Sequence, residues 1–154
     1  MELERTLVLV KPDAFHRCLV GAIITRLESK GLRMVAGKLM RMDKQLAERH
    51  YAEHAGKSFF RPTVDFMTTS PIMAMVWEGR QAVAVVRKAA GTTNSAEAEP
   101  GTIRGDLSLS RRYNLIHASD GHDSAQREIE LFFPDAEFLS YSTAEDLLPP
   151  FDIR

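Results

Sequence analysis

Thr6-Leu7-Val8-Leu9-Val10 is an unbroken apolar run, rich in β-branched side chains, that stops at Lys11-Pro12. A run without polar alternation has no face to offer water, so it suits a central strand buried on both sides. The rest of the chain has to be built around that strand. Val20, Ile23, Ile24 and Leu27 recur at helical spacing, and Gly31 supplies a stop. Leu32 to Met42 reads as a second strand. Asp43 is placed to cap a helix carrying Leu46, Ala47 and His50, and a short helix is expected around Val64 to Met67, ahead of Pro71. Ile72 to Trp77 is a third strand closed by Glu78-Gly79, and Gln81 to Ala90 is helical up to Gly91. Residues 91 to 105 are small, polar and breaker types, a long loop of the kind that carries function in a compact domain. Residues 113 to 117 look extended. Asp120 or Asp123 starts a helix with Ala125, Ile129, Phe132 and Phe133 on its apolar face. From Pro134 the tail is irregular, with Pro149-Pro150 near its end.

This order fits an α+β class, with helices packed on one face of a mainly antiparallel sheet. The simplest topology is the split β-α-β, a ferredoxin-like β-α-β-β-α-β sandwich. With no internal repeat, low-complexity tract or linker, residues 1 to 154 are expected to form one domain. Lys plus Arg total 20 against 21 Asp plus Glu, so no global field draws the chain to nucleic acid or to an anionic membrane. An anion must be gripped by locally gathered cations. Cys18 is the lone cysteine, which excludes an intrachain disulfide and a Cys-based metal cluster. No apolar stretch approaches a membrane span or a signal-peptide core, and a reducing, cytoplasmic location is expected.

The densest chemistry lies in Asn114-Leu115-Ile116-His117-Ala118-Ser119-Asp120, between an expected strand and an expected helix start. A histidine there is accessible yet held, small neighbours leave room beside it, and a helix N-terminus favours an incoming anion. Neutral imidazole is a competent nucleophile toward phosphorus, and imidazoles ordinarily titrate near neutrality.

The Asn-x-x-His-Ala-Ser-Asp stretch closely resembles the active-site signature of nucleoside diphosphate kinases. Lys11-Pro12-Asp13 resembles the same family's opening motif. Further matches are Phe59-Phe60, Gly91-Thr92-Thr93-Asn94 and Pro100-Gly101-Thr102-Ile103-Arg104-Gly105-Asp106, in one register from about residue 4 to about residue 133. The resemblance implies ping-pong transfer of a terminal phosphate from ATP or another nucleoside triphosphate to a diphosphate, through a phosphohistidine at His117. It implies Lys11 and Asn114 at the ribose 3′-hydroxyl and nearby phosphates. Arg87, Thr93 and Arg104 would hold the phosphate chain, and Phe59 would stack on the base. Tyr51, Ser119 and Glu128 would support the site, with Glu128 orienting the histidine. Mg²⁺ would be held mainly by the nucleotide, with Asp120 touching its shell through water. A homo-oligomer is implied, a hexamer first and a tetramer second, with neither nucleic acid nor membrane as partner.

Three departures stand out. Ser95 replaces a usual Pro, so the long loop is expected to be less rigid. Arg61-Pro62-Thr63 alters the base-side wall, and Arg111 stands where an apolar residue facing the base is common. Rival readings fail on particulars. Gly56-Lys57-Ser58 resembles the end of a P-loop, but Tyr51 occupies the place of its first glycine. His50 and His54 are one helical turn apart, yet no Cys joins them and position 51 lacks the metalloprotease Glu, so they are not read as a zinc pair. An RNA-binding sheet needs aromatic platforms, and the strand runs offer mostly aliphatics. A catalytically inactive nucleotide-binding member of the family is opposed by the intact His117 and its neighbours. His16 and His122 are expected at the surface.

Overall fold

The computed structural model describes residues 2–135 and 137–147; the Pro149-Pro150 pair lies outside them. The first apolar run is β1 (Glu4–Val10), whose Leu7, Val8, Leu9 and Val10 are fully buried. α1 (Pro12–His16) follows at once where the sequence reading left a loop. Pro12 sits in its first turn, where the missing N–H has no partner to lose and the fixed φ is already helical. α2 (Val20–Ser29) turns Ile23 and Leu27 inward, and Gly31, in the left-handed region at φ 94°, redirects the chain into β2 (Arg33–Met40). α3 (Lys44–His50) is capped by Asp43, whose carboxylate accepts from the Leu46 N–H at 2.7 Å. α4 (Phe60–Met67), β3 (Ile72–Gly79) and α5 (Ala82–Ala90) come next. The stretch expected as loop holds a 3₁₀ turn (Ser95–Glu97) and the start of α6 (Ile103–Leu107). β4 (Ile116–Ala118) and α7 (His122–Phe132) complete the core. The tail ends, among the described residues, in a 3₁₀ turn (Ala144–Leu147).

The sheet order is β2-β3-β1-β4 with every neighbouring pair antiparallel, the ferredoxin-like arrangement. Helices cover both faces rather than the one expected. Val8, Val10, Met75 and Trp77 pack with Ile23, Leu27, Ala82 and Val86 of α2 and α5. Leu7, Leu9, Ala74 and Val76 pack with Ala47, Val64, Met67 and Phe132 of α3, α4 and α7. The cause is in β1 and β3 themselves. Both are apolar at odd and even positions, and each fully buried large side chain contributes about 1.5–3 kcal/mol.

Two local expectations need correcting. Residues 113 to 117 are not one strand, because Leu115 has φ 73° and the Ile116 N–H donates to Asn114 O at 2.8 Å. That γ-turn, of the rarer and strained hand, leaves only Ile116–Ala118 to pair. Neither Asp120 nor Asp123 caps α7; Gly121 is the N-cap residue, and Asp120 instead accepts from the Ser124 hydroxyl.

Candidate active site

His117 lies in the middle of β4, opposite Leu9 of β1. Side chains alternate across a strand, so Ile116 and Ala118 join the core under α2 and α5 while His117 points to the other face. There it meets α7 and the end of α3. Its Nε2 lies 2.7 Å from Glu128 Oε1, and the same oxygen accepts from the Ser119 hydroxyl at 2.8 Å. Ser119 is tied in turn to β1, its Oγ accepting from the Leu7 N–H at 3.3 Å. Burial alone would raise the Glu128 pKa, but the hydrogen bond from His117 and its charge hold the carboxyl below its ordinary value. An ionised carboxylate can only accept. The proton between the two residues therefore belongs to Nε2, and Nδ1 of neutral His117 keeps its lone pair.

The turn that aims His117 is held from three sides. The Leu115 N–H donates to Asp13 Oδ2 at 3.0 Å, and Leu115 O accepts from the Lys11 N–H at 2.9 Å. Lys11 Nζ donates to Asn114 Oδ1 at 2.8 Å and to Arg112 O at 2.7 Å, while Asn114 Nδ2 donates to Thr93 O at 3.0 Å. Lys11 is buried and its pKa is lowered to about 8. Burial is the main cause; Asp13 opposes it and the charges of Arg104 and Arg112 add to it.

β4 is an edge strand, and its outward carbonyls would lack partners were they not met by arginines. Arg104 donates through Nε to Asn114 O at 3.3 Å and through Nη2 to Ile116 O at 2.6 Å. Its Nη1 reaches Gly91 O at 2.8 Å, and Arg87 Nη1 donates to Ala118 O at 3.3 Å. Burial, with the charge of Arg87 second, lowers the Arg104 pKa to about 10, leaving it cationic at neutral pH. The loop that carries Arg104 needs its glycines. A Cβ on Gly91, which is also at φ 89°, would fall 2.5 Å from Thr102 Oγ1, and one on Gly105 would fall 2.0 Å from Glu99 O.

Every sequence-expected site residue except Ser119 lines one cleft of about 580 Å³: Lys11, Tyr51, Phe59, Arg87, Thr93, Arg104, Asn114, His117, Asp120 and Glu128. Ser119 sits directly behind it, bonded to Glu128. Phe59, 42 % exposed, lines the cleft with its ring centroid 5.2 Å from that of His54; Thr63 and Arg111 line the same cleft. Tyr51 is packed against His50, and burial raises its pKa. Asp120 is exposed, and the Ser124 hydrogen bond holds its carboxyl below the ordinary range.

Sequence reasoning missed His50. It does not pair with His54, which sits beside Lys57 and Glu53. It is buried with its ring centroid 4.6 Å from that of His117, edge to face, and both of its nitrogens lack a hydrogen-bond partner. Burial, then the neighbouring His117, pushes its pKa down to about 3. The signal was present: His50 follows Leu46 and Ala47 at core-facing helical spacing. Asp13 was quoted as part of a motif without its task, which is to hold Leu115.

This arrangement offers an imidazole with one fixed nitrogen and one available nitrogen, facing cations within a cleft of nucleotide size. Comparison with known proteins points the same way. The family model described as nucleoside diphosphate kinase matches residues 4–138. The nucleoside diphosphate kinase of Listeria monocytogenes serotype 4b (strain F2365) is 54 % identical over 144 residues, covering 94 % of this chain and 98 % of the relative. That of Pyrococcus furiosus is 53 % identical over 148 residues, 94 % of this chain and 92 % of its own. A halophilic nucleoside diphosphate kinase from Halobacterium salinarum, solved in complex with CDP, superposes with a TM-score of 0.91 at 50 % identity over 95 % of this chain and 97 % of that one. The enzyme of Encephalitozoon cuniculi, solved without ligand, gives 0.89 at 39 % identity over 94 % and 98 %. Sequence likeness over nearly the whole chain and a shared backbone lead to one assignment: this chain belongs to the nucleoside diphosphate kinase family.

Proposed function

We propose that the protein is a nucleoside diphosphate kinase, one domain over residues 1–154, that carries the phosphate on Nδ1 of His117. The observation that carries this reading is the 2.7 Å contact of His117 Nε2 with Glu128, which leaves Nδ1 as the nucleophilic nitrogen. In the first half-reaction the Nδ1 lone pair attacks the terminal phosphorus of a nucleoside triphosphate. An N–P bond forms as the P–O bond to the β-phosphate breaks, and the diphosphate leaves with the electron pair. The ring becomes cationic, and the Nε2–H bond to the Glu128 carboxylate stabilises that charge. In the second half-reaction the terminal oxygen of a different diphosphate attacks the same phosphorus, the N–P bond breaks, and its electrons return to Nδ1. The Nε2 proton stays in place throughout.

Phosphoryl transfer depends mostly on positioning and charge, which Lys11, Asn114, Arg87, Thr93 and Arg104 supply at ribose and phosphates. The accompanying divalent cation is Mg²⁺, which neutralises phosphate charge. Asp120, ionised and on the cleft wall, is the residue fitted to touch its water shell. Phe59 stacks on any base because every base has a π-face, so base specificity is broad. Arg111, which also lines the cleft, is the side chain we assign as able to reach a base edge. Among the described residues no helix is long and apolar enough to cross a membrane. Action in the cytoplasm, without nucleic acid or membrane as partner, accords with the near-neutral charge and with the exposed free thiol of Cys18, which suits a reducing compartment. A homo-oligomer, a hexamer before a tetramer, completes the reading.

The test is labelling with γ-labelled ATP alone. Wild-type protein should retain acid-labile, base-stable phosphate, assigned to Nδ1 by NMR. His117→Ala should lose both label and ATP-to-GDP exchange. Exchange at the wild-type rate in His117→Ala would sink the mechanism, and label on Nε2 would refute the assigned role of Glu128.

A further inference from the structure

The mechanism gives no task to His50. It closes α3 at 7 % exposure with both ring nitrogens unpartnered, though a phenylalanine would fill the space between Tyr51 and Phe132 without burying polar atoms. One of its nitrogens, a ring nitrogen of His117 and a carboxylate oxygen of Glu128 all lie within 4.8 Å of one another, and the three residues line the cleft. Two imidazoles and a carboxylate are the protein donor set of open zinc sites.

We propose that His50, His117 and Glu128 form a binding site for a borderline-soft dication, Zn²⁺ foremost, and that its occupation reversibly switches off the nucleophile. Zinc takes nitrogen and carboxylate ligands at about 2.0–2.2 Å, which puts tetrahedral ligand atoms roughly 3.3–3.5 Å apart. The 2.7 Å contact between His117 Nε2 and Glu128 Oε1 must open slightly to admit the ion, and His50 must close in by side-chain rotation. A cleft water completes the fourth position. Mg²⁺ does not compete, because it is hard, prefers oxygen ligands and demands an octahedron.

Inhibition follows from the ring's proton. Nε2 binds the ion only after losing its proton, and the ring stays neutral by gaining one on Nδ1 through water in the cleft. The Nε2–H bond is exchanged for an Nε2–metal bond, an Nδ1–H bond forms, and the lone pair that attacks phosphorus is gone. No oxidant or reductant takes part. The inhibitory half of the inference rests on His117 acting through Nδ1; the metal site itself does not.

The site is tested on nucleotide-free protein with Co²⁺ as a spectroscopic stand-in and Zn²⁺ by calorimetry. Wild-type protein should bind one Co²⁺ with the intense visible bands of a tetrahedral centre, and Zn²⁺ should displace it. Zn²⁺ affinity should drop about a hundredfold or more in His50→Phe and in Glu128→Gln, and less than about threefold in His54→Ala, elsewhere on the cleft, and in the surface variant His122→Ala. With Mg²⁺ present throughout, phosphohistidine formation in wild type should slow with one equivalent of Zn²⁺ and recover with a zinc-selective chelator, while His50→Phe keeps its own zinc-free rate. An octahedral spectrum or no binding in wild type overturns the site, whatever the variants do. So does unchanged Zn²⁺ affinity in a His50→Phe protein that melts cooperatively. Tight binding without slower labelling overturns the switch. Absence of label in zinc-free buffer that contains Mg²⁺ would instead count against the kinase reading and leave the cobalt result standing.

Discussion

Lys11 is the cleft cation whose charge is most exposed to pH. Burial brings its pKa down to about 8 from an ordinary value of 10.5. Below about 8 the ammonium is charged and suited to the phosphate contact proposed for it; above it the group is neutral and that contact is weakened. The kcat/KM profile, which reports the free enzyme, should therefore fall as pH rises through about 8. A bound phosphate favours the charged form, so the same limb in kcat should lie at higher pH. A kcat/KM that stays flat as pH rises through about 8 would show that Lys11 is solvated in the free enzyme and would contradict the burial argument. At this scale the sequence was informative wherever residues fall in a motif: Lys11, Arg104, Asn114 and His117 were named from it and share one cleft. His50 was not named as a site residue, because what makes it notable is contact with His117 across 67 positions of chain, which no local spacing encodes.

Among the elements, the two central strands and α5 were legible because uniform apolar runs and a glycine stop leave few alternatives. β4 was misjudged because a positive φ at Leu115 is imposed by Asp13, Lys11 and the Ile116 turn, and leucine has no intrinsic preference for it. α1 was missed because Pro12 reads as a strand stop before it reads as a helix start. The 3₁₀ turn Ser95–Glu97 yields a prediction of its own. Ser95 is buried with an unpartnered hydroxyl, and Asn94 before it is extended at φ −80° and ψ 104°, as a residue preceding proline should be. Ser95 opens the turn, where an N–H has no intrahelical partner. Ser95→Pro should stabilise the protein by about 0.4–1 kcal/mol, mainly by restricting the unfolded chain. Thermal melts should place its Tm about 1–4 °C above wild type. A lower Tm would mean that the pyrrolidine ring collides with its surroundings or that the Ser95 N–H is engaged.

Over the whole molecule, the sheet's two edges are treated differently. On β2 the tail covers the first half: the Leu139 N–H donates to Val35 O at 3.0 Å and the Tyr141 hydroxyl to Met34 O at 2.7 Å. Beyond it Gly37, Lys38 and Leu39 are exposed, Leu39 at 65 %. An open edge with an apolar side chain is a place for a second copy to add its own β2, and closed symmetric assemblies are built from such contacts. Sedimentation velocity at micromolar concentration should show an oligomer, and Leu39→Lys should weaken it by about tenfold or more. A wild-type monomer would remove the assembly from the reading. Neither the tail's path nor the open edge was legible beforehand, because irregular backbone held by long-range hydrogen bonds has no period to read. β4, the other edge, has its outward carbonyls at 116 and 118 occupied by Arg104 and Arg87. The guanidinium groups assigned to phosphate thus also deny the nucleophile's strand to any foreign chain seeking to extend the sheet, so selection on catalysis and selection against cross-β growth act on the same two side chains.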